Sequence, residues 1–600
     1  MTVSRGWVSV IILLLFILAG IIIALALGIR WEKLSCDRGG FLHGAVAADS
    51  EICSDIGRDI LKQGGSAVDS AIAALICTTV IHPQSMGLGG GVIFTIYNAS
   101  TGEMEVINAR ETVPSRSPPN LTEQCFNPGF VKPAMPNHAP CYRKGEQYKN
   151  ISHIQKSNRM VKHQKALSYT GVQWIGVPGE LRGYEAAHKR HGRLPWKSLF
   201  EPTIKLLTNG IRVSSLISKY LSFFEKLIKK HSICQLLCEN EQVLTEGQAI
   251  NFTQLGYTLR VLADEGADSF YNGSISKKMI EDLHNEGSFL TAEDLQNYKV
   301  EIVRPLNFSL GPYTLYSPPP PAGGALISFL LNILKGYHFS ASSVQNETEQ
   351  IQTYHYIAEA FKFANGQKRQ LAEGLAADET KELLDTLLSP SFAQKIREKI
   401  DDSGDHTLSF YNVSSIHPET LGTTHISVIT KDGSSVSVTS SINHVFGAMV
   451  YSPSTGIILN NQLADFCISS LSQPLRAGQQ PPSSMTPAIF LSHDKKSQLV
   501  IGGAGGLRII SATTQAIINK LWFGYNLEKA ISLPVFHVTA RNQLEFEPHF
   551  SKAVQQGLKE KGHKFSNFSF ALNVVQAVSQ ENGCLFAFSD KRKEAKAAGY

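Results

Sequence analysis

Hydrophobic and polar positions fall into three patterns along this chain. From Trp7 to Ile29 it runs for 23 residues without a charge, rich in Ile, Leu and Val. At about 1.5 Å per residue a helix of that length reaches about 34 Å, enough to cross a hydrocarbon core of about 30 Å. Helical spacing comes next. Ile52, Ile56 and Ile60 mark one face of a helix that Asp49 or Ser50 can cap and Gly64-Gly65 stops, and Ser66 to Cys77 reads as a buried helix with small residues on its packing face. Strand-like stretches make the third pattern. Val92 to Ile96 is one; Thr424 to Thr430 sets His425, Ser427 and Ile429 on one face, with Ile426 and Val428 on the other. After the turn Lys431-Asp432-Gly433, Ser434 to Asn443 alternates again. A three-residue loop with Gly433 left-handed pairs Thr430 with Ser434. Counting outward sets Thr423 opposite Ser441, with Asn443 beyond it on the same face.

The first pattern bears on topology. A signal-peptide core spans about 7–15 residues and ends at a small-residue cleavage site, and neither holds here. The expectation is a cytoplasmic tail (1–6), an uncleaved transmembrane signal-anchor (7–29) and a stalk (30–43). Charge does not orient the span, since Arg5 precedes it and Arg30 and Lys33 follow. Nine N-x-[ST] sequons do: Asn98, Asn120, Asn150, Asn251, Asn272, Asn307, Asn346, Asn412 and Asn567 all lie beyond the run. That distribution is expected of a glycosylated, extracellular ectodomain on a single-pass type II membrane protein.

Composition narrows the classes. Six hundred residues, 43% hydrophobic and 18% charged, exclude disorder and allow two to four packing units or one large layered fold. A net charge of +5 over this length makes no case for nucleic acid. The basic excess gathers at about 118–170, where Lys132, Arg143, Lys144, Lys149, Lys156, Arg159, Lys162 and Lys165 face almost no acid except Glu146. That segment reads as a solvated insertion, with Cys125 and Cys141 placed to clip it. None of the nine cysteines forms a CxxC pair or a zinc-spaced cluster, so no metal module is expected. Cys53 with Cys77, and Cys234 with Cys238, are candidate disulfides, the second only if the intervening helix distorts. Ser85 to Gly91 superficially resembles a phosphate loop but lacks its lysine. It reads as a tight backbone passage beside the core.

Thr, Ser and Asn are ordinary occupants of strand ends, and the hairpin alone assigns no function. Motifs in register do more. Val106-Ile107-Asn108-Ala109-Arg110-Glu111, Tyr316 to Gly324 with its four prolines, Gly422-Thr423-Thr424-His425, Thr439 to Asn443, Asn460 to Asp465, Pro482 to Met485 and Gly502 to Gly506 resemble the gamma-glutamyltransferase family, and look closest to its gamma-glutamyl leukotrienase branch. The resemblance covers nearly all of the chain beyond the apolar run.

It implies an α+β architecture, the N-terminal-nucleophile hydrolase fold, a four-layer αββα sandwich. It also implies a precursor that cuts itself at Gly422–Thr423 into a large segment (44–422 beyond the stalk) and a small catalytic one (423–600), held as a heterodimer. Thr423 is then both nucleophile and, through its new α-amine, base; an α-amino pKa of about 7.7–8.0 suits that work near neutrality. Ser441 supports it, and Gly505 and Gly506 offer backbone N–H groups to the oxyanion. Arg110, Ser483 and Ser484 would hold the α-carboxylate of a γ-glutamyl group, with Asn443, Gln462 and Asp465 on its α-ammonium. Glutathione and its conjugates, leukotriene C4 among them, are the implied donors; water, amino acids or dipeptides are the acceptors; no metal or organic cofactor is implied.

Two positions depart from the family pattern, which has glutamate at Gln462 and threonine at Ser441. Loss of one charge at Gln462 is expected to weaken substrate binding by about 1–3 kcal/mol. Two alternatives stay open: a catalytically impaired homologue acting as a non-enzymatic ectodomain, for which Gln462 is the hint, and a hydrolase of the same fold for another acyl group.

Overall fold

The computed structural model describes residues 13–22, 36, 39–118, 120–126, 169–372, 377–404, 406–413, 422–468, 474–567 and 574–600. Its main elements, in chain order, are β1 (Gly44–Ala47), α1 (Glu51–Lys62), α2 (Ala67–Ile81), β2 (Gly91–Asn98), β3 (Glu103–Ala109), α3 (Glu180–His191), β4 (Glu301–Val303), β5 (Leu306–Leu310), β6 (Tyr313–Ser317), α4 (Gly324–Leu334) and α5 (Glu347–Ala372). Beyond these come β7 (Gly422–Thr430), β8 (Ser435–Asn443), β9 (Ala488–Ser492), β10 (Gln498–Ala504), α6 (Arg508–Leu521), β11 (Val574–Glu581), β12 (Cys584–Ser589) and β13 (Ala598–Gly599).

Among the described residues these strands build two large sheets, ordered β13-β1-β7-β8-β2-β3-β4 and β12-β11-β10-β9-β6-β5. Alternation along each strand assigns its side chains to layers. Ile426, Val428, Val436 and Val438 join one core with residues of α1, α2 and α3. Phe490, Ile501 and Val575 join another with α4, α5 and α6. Ile429, Ile489, Val500 and Val578 fill the space between the sheets. The order is helices, sheet, sheet, helices, and each fully buried Ile or Val contributes about 1.5–3 kcal/mol to it.

Helix α2 has no exposed stripe because both its faces are covered. Fourteen of its 15 residues are buried, and Ser66 starts it through a reciprocal capping box with Asp69. Helix α1 corrects the expected face. Ile52 is exposed, and the buried stripe is Cys53, Gly57, Ile60 and Leu61, because Gly57 lets Ser70 of α2 approach and accept close packing. Cys53–Cys77 joins the two helices. Capping is corrected as well: Ser50 is the N-cap residue and makes no side-chain cap bond, while Asp49 is engaged elsewhere.

Cys234–Cys238 forms because the chain leaves its helix after Leu237 and Cys238 is extended, which is the distortion the spacing required. The Cys125–Cys141 clip is overturned: Cys125 pairs with Cys467, 342 residues away. A fourth bridge, Cys36–Cys584, was not anticipated. Of the apolar run, residues 13–22 are helical and the rest lies outside the described residues; among those described, no helix is long and apolar enough to cross a membrane. Lys132 to Lys165 also lie outside the described residues, as does Asn150. The other eight sequon asparagines are exposed, apart from a half-buried Asn98.

Candidate active site

The β7–β8 hairpin has the expected register. Thr430 N–H donates to the Ser434 carbonyl at 3.0 Å, Gly433 has φ +84°, and Thr424 lies opposite Ser440. One further step brings Thr423 to Ser441, with their hydroxyl oxygens 3.2 Å apart. Beyond that pair the register slips: Gly422 faces Asn443, so β8 carries one extra residue as a bulge. Asn443 sits at φ +74°, and its amide reaches sideways to the Asn461 carbonyl at 3.1 Å.

The chain is continuous at Gly422–Thr423, and two hydroxyls converge on that peptide. Thr423 Oγ1 and Ser441 Oγ each donate to the Gly422 carbonyl oxygen at 2.6 Å. Ser441 is oriented for this by the Asn443 N–H, which it accepts at 2.9 Å. Two donors on one carbonyl draw charge onto its oxygen and make its carbon more open to attack.

Beneath Thr423 lies a network absent from the sequence expectations. Lys593 Nζ, 5% exposed, donates to the Thr423 carbonyl oxygen at 2.7 Å and to Asp49. Asp49 also accepts from Thr424 Oγ1 at 2.7 Å and Gln576 Nε2 at 2.6 Å. Burial alone would raise the Asp49 pKa, but Lys593, His82 and these bonds together hold it below the usual carboxylate value. His82, its pKa pushed down to about 4 by burial and by Lys593, donates from Nε2 to the Asp49 carbonyl and accepts from Gln84 at Nδ1. Asp49 reads as a helix cap in sequence, and nothing local singles out Lys593. Neither carries a motif that would have found it.

The proposed clamp residues also meet. Arg110, 1% exposed at the end of β3, places Nη2 2.6 Å from Asp465 Oδ2 and donates to the Pro482 carbonyl at 2.9 Å, beside Ser483. Gln462 Nε2 donates to the same Asp465 oxygen at 2.7 Å, and its Oε1 is buried without a partner among the described residues. Burial pushes the Asp465 carboxyl up, opposed by Arg110 and by bonds from Gln462 and Asn443. Ser483 and Ser484 are half-buried, and the proline segment forms a wall against them: Ser483 N–H donates to the Pro321 carbonyl at 2.8 Å. Glu111 adjoins the clamp with Oε2 3.6 Å from Arg110, its pKa raised by burial to about 7; neighbouring Glu180 is raised by burial to about 8.

Glycines mark two tight stretches of backbone. A side chain at Gly90 would collide with the Ser441 carbonyl, a Cβ there lying 2.3 Å from it, so the glycine run is the tight passage expected beside the core, and β8 is what it passes. Gly505 and Gly506 have φ +121° and +61°, a backbone that glycine adopts freely, between β10 and α6. The Asn460 amide ties the first of these stretches to the chain ahead of α3, donating to the Gly89 and Gly176 carbonyls at 2.7 and 2.9 Å.

A family model described as gamma-glutamyltranspeptidase matches residues 53–135 and 150–600. The chain belongs to the gamma-glutamyltranspeptidase family. It is an enzyme of that family and is 47% identical over 588 residues to "Glutathione hydrolase 5 proenzyme" of Rattus norvegicus, with 96% of each chain covered. The human protein of the same name is 45% identical, again covering 96% of each. Among solved structures, cephalosporin acylase from Bacillus halodurans superposes with a TM-score of 0.77 at 22% identity, covering 95% of this chain and 99% of that one. That likeness establishes the fold of this gamma-glutamyltranspeptidase as one it shares with an acylase.

Proposed function

We propose that this gamma-glutamyltranspeptidase cuts itself at Gly422–Thr423 and then uses Thr423 to remove the γ-glutamyl group from glutathione and glutathione conjugates, leukotriene C4 among them. The observation that carries the reading is the convergence of Thr423 Oγ1 and Ser441 Oγ on the Gly422 carbonyl oxygen, each at 2.6 Å. Attack of Oγ1 on that carbonyl carbon shifts the acyl group from N to O. Water then hydrolyses the ester and leaves Thr423 with a free α-amine.

In the mature site the α-amine takes the Thr423 hydroxyl proton as Oγ1 attacks the γ-carbonyl. The N–H groups of Gly505 and Gly506 stabilise the oxyanion. The C–N bond breaks, the departing cysteinyl amine receives that proton, and a γ-glutamyl ester remains on Thr423. Water or the amine of an amino acid or dipeptide releases it. Specificity comes from opposite charges placed side by side. The substrate carboxylate lies on Arg110, Ser483 and Ser484, and its ammonium lies on Asp465, Asn443 and Gln462 Oε1, which has no partner among the described residues. Gln462 takes part in assembling this clamp, which favours an active enzyme over a non-enzymatic homologue. The relatives named glutathione hydrolase 5 support the donor class.

The apolar run and the exposed sequons support a type II single-pass protein with this site outside the cell. The test is turnover of γ-glutamyl-p-nitroanilide, glutathione and leukotriene C4 by the wild type and by Thr423→Ala. Release of the γ-glutamyl group by the wild type alone supports the reading, and equal activity of the variant overturns it.

A further inference from the structure

The four disulfides sort by their position relative to Gly422–Thr423. Cys53–Cys77 and Cys234–Cys238 lie wholly on the amino-terminal side. Cys36–Cys584 and Cys125–Cys467 each have one cysteine on either side of it. We infer that self-cleavage leaves the two segments covalently joined through Cys36–Cys584 and Cys125–Cys467, and that the second bridge is a positioning element for Asp465. The inference rests on the cleavage reading above.

Both bridges sit in ordered contacts between the segments. Next to Cys36–Cys584, Phe41 and Leu585 exchange backbone hydrogen bonds at 2.8 and 2.9 Å, so the stalk end is laid along β12. That bridge connects the carboxy-terminal segment to the chain that carries the apolar run. Cys125–Cys467 lies in an apolar cluster where Val113, Leu121 and Trp174 from one side meet Leu463 and Phe466 from the other. Cys467 is 3% exposed and lies on the same short 3-10 turn that carries Gln462 and Asp465.

The consequence is functional because the substrate clamp is itself divided. Arg110 belongs to the segment before the cut, and Asp465, Gln462, Ser483 and Ser484 to the segment after it. Without a bond across the cut, the 2.6 Å Arg110–Asp465 contact would depend on non-covalent packing alone. A bridge two residues from Asp465 makes that contact intramolecular and fixes the turn to the short Leu121–Phe126 segment.

The test uses the full-length protein made in the secretory pathway, with free thiols blocked by N-ethylmaleimide before denaturation. One band is expected without reductant and two with dithiothreitol. Each bridge accepts two electrons and two protons from one dithiothreitol, which closes to its cyclic disulfide. Two bands without reductant would overturn the inference. One band in both lanes would overturn the cleavage reading instead, and proteolysis without reductant then decides the bridges: recovery of Cys36–Cys584 and Cys125–Cys467 peptides upholds them, and their absence overturns them. In variants, Cys36→Ser/Cys125→Ser should separate into two bands without reductant. Cys125→Ser/Cys467→Ser should raise KM for glutathione about tenfold with kcat changed less than threefold; an unchanged KM would overturn the positioning role.

Discussion

Lys593 Nζ donates to the carbonyl oxygen of Thr423 at 2.7 Å, joining a residue seven positions before Tyr600 to the proposed nucleophile. With Asp49 it forms a buried ion pair directly beneath that residue. Its positive charge also lies close to the α-amine that cleavage would create, and a nearby cation disfavours the protonated amine. Lys593→Met should therefore move the acidic limb of the kcat/KM profile to higher pH. Because it strands a buried carboxylate, it should also destabilise the fold by about 3–5 kcal/mol. Asp49→Asn, which keeps the shape but strands the ammonium, should destabilise it similarly without an upward shift of that limb. pH–rate profiles and chemical denaturation of the two variants check both effects.

Ser441 supplies one of two hydrogen bonds to the Gly422 carbonyl oxygen. Removing one such donor costs about 10²–10³-fold in rate where it acts on developing charge. Ser441→Ala is expected to slow self-cleavage by about 10²-fold, and Ser441→Thr, which restores the family residue, to cleave at near the wild-type rate. The fraction of uncut chain on a reducing gel over time measures it.

Gln462 donates to Asp465 and, in the proposed clamp, offers a neutral oxygen to the substrate ammonium. Gln462→Glu adds a charge that the ammonium can pair with, and should lower KM for a γ-glutamyl substrate by about tenfold, near 1.4 kcal/mol. Without substrate the two carboxylates repel, so the variant should also be less stable above neutral pH. A KM equal to that of the wild type would contradict this account of the clamp.

Buried titratable groups give stability a pH dependence of definite sign. Glu180 has a folded pKa of about 8, raised by burial from 4.5, so the folded state binds its proton more tightly and stability falls as pH rises from about 4.5 to 8. His425, lowered by burial from 6.5 to about 3, and His444, lowered to about 4, act in the opposite sense, and stability is lost as pH falls below 6.5. Between pH 6.5 and 8 the histidines no longer contribute, so the melting temperature should decline there, and Glu180→Gln should flatten the decline. Calorimetry across that range checks the slope.

The hairpin was legible because alternation and a glycine turn fix register locally, and Thr423 and Ser441 follow by counting. The bulge that displaces Asn443 was not, since it arises from packing on Asn461 and Asp465, both distant in sequence. The layered fold came from motif order, which neither composition nor periodicity contains. Asp49 and Lys593 were hidden because a carboxylate before a helix and a lysine in a charged run have ordinary local explanations. Only long-range contacts, spanning 544 residues between them, reveal the pair. Cys125 was misassigned for the same reason: its partner is 342 residues away, and proximity in sequence favoured Cys141.

The central claim is that Thr423 cuts its own peptide bond and so becomes the amino-terminal residue of the catalytic segment. Mass analysis of the reduced, deglycosylated chains with amino-terminal sequencing tests this most directly. The wild type should give two chains, the second beginning Thr423-Thr424-His425, and Thr423→Ala should give one uncut chain without γ-glutamyl turnover. A wild type that stays intact, or a Thr423→Ala chain that is cut at the same bond, would contradict the account.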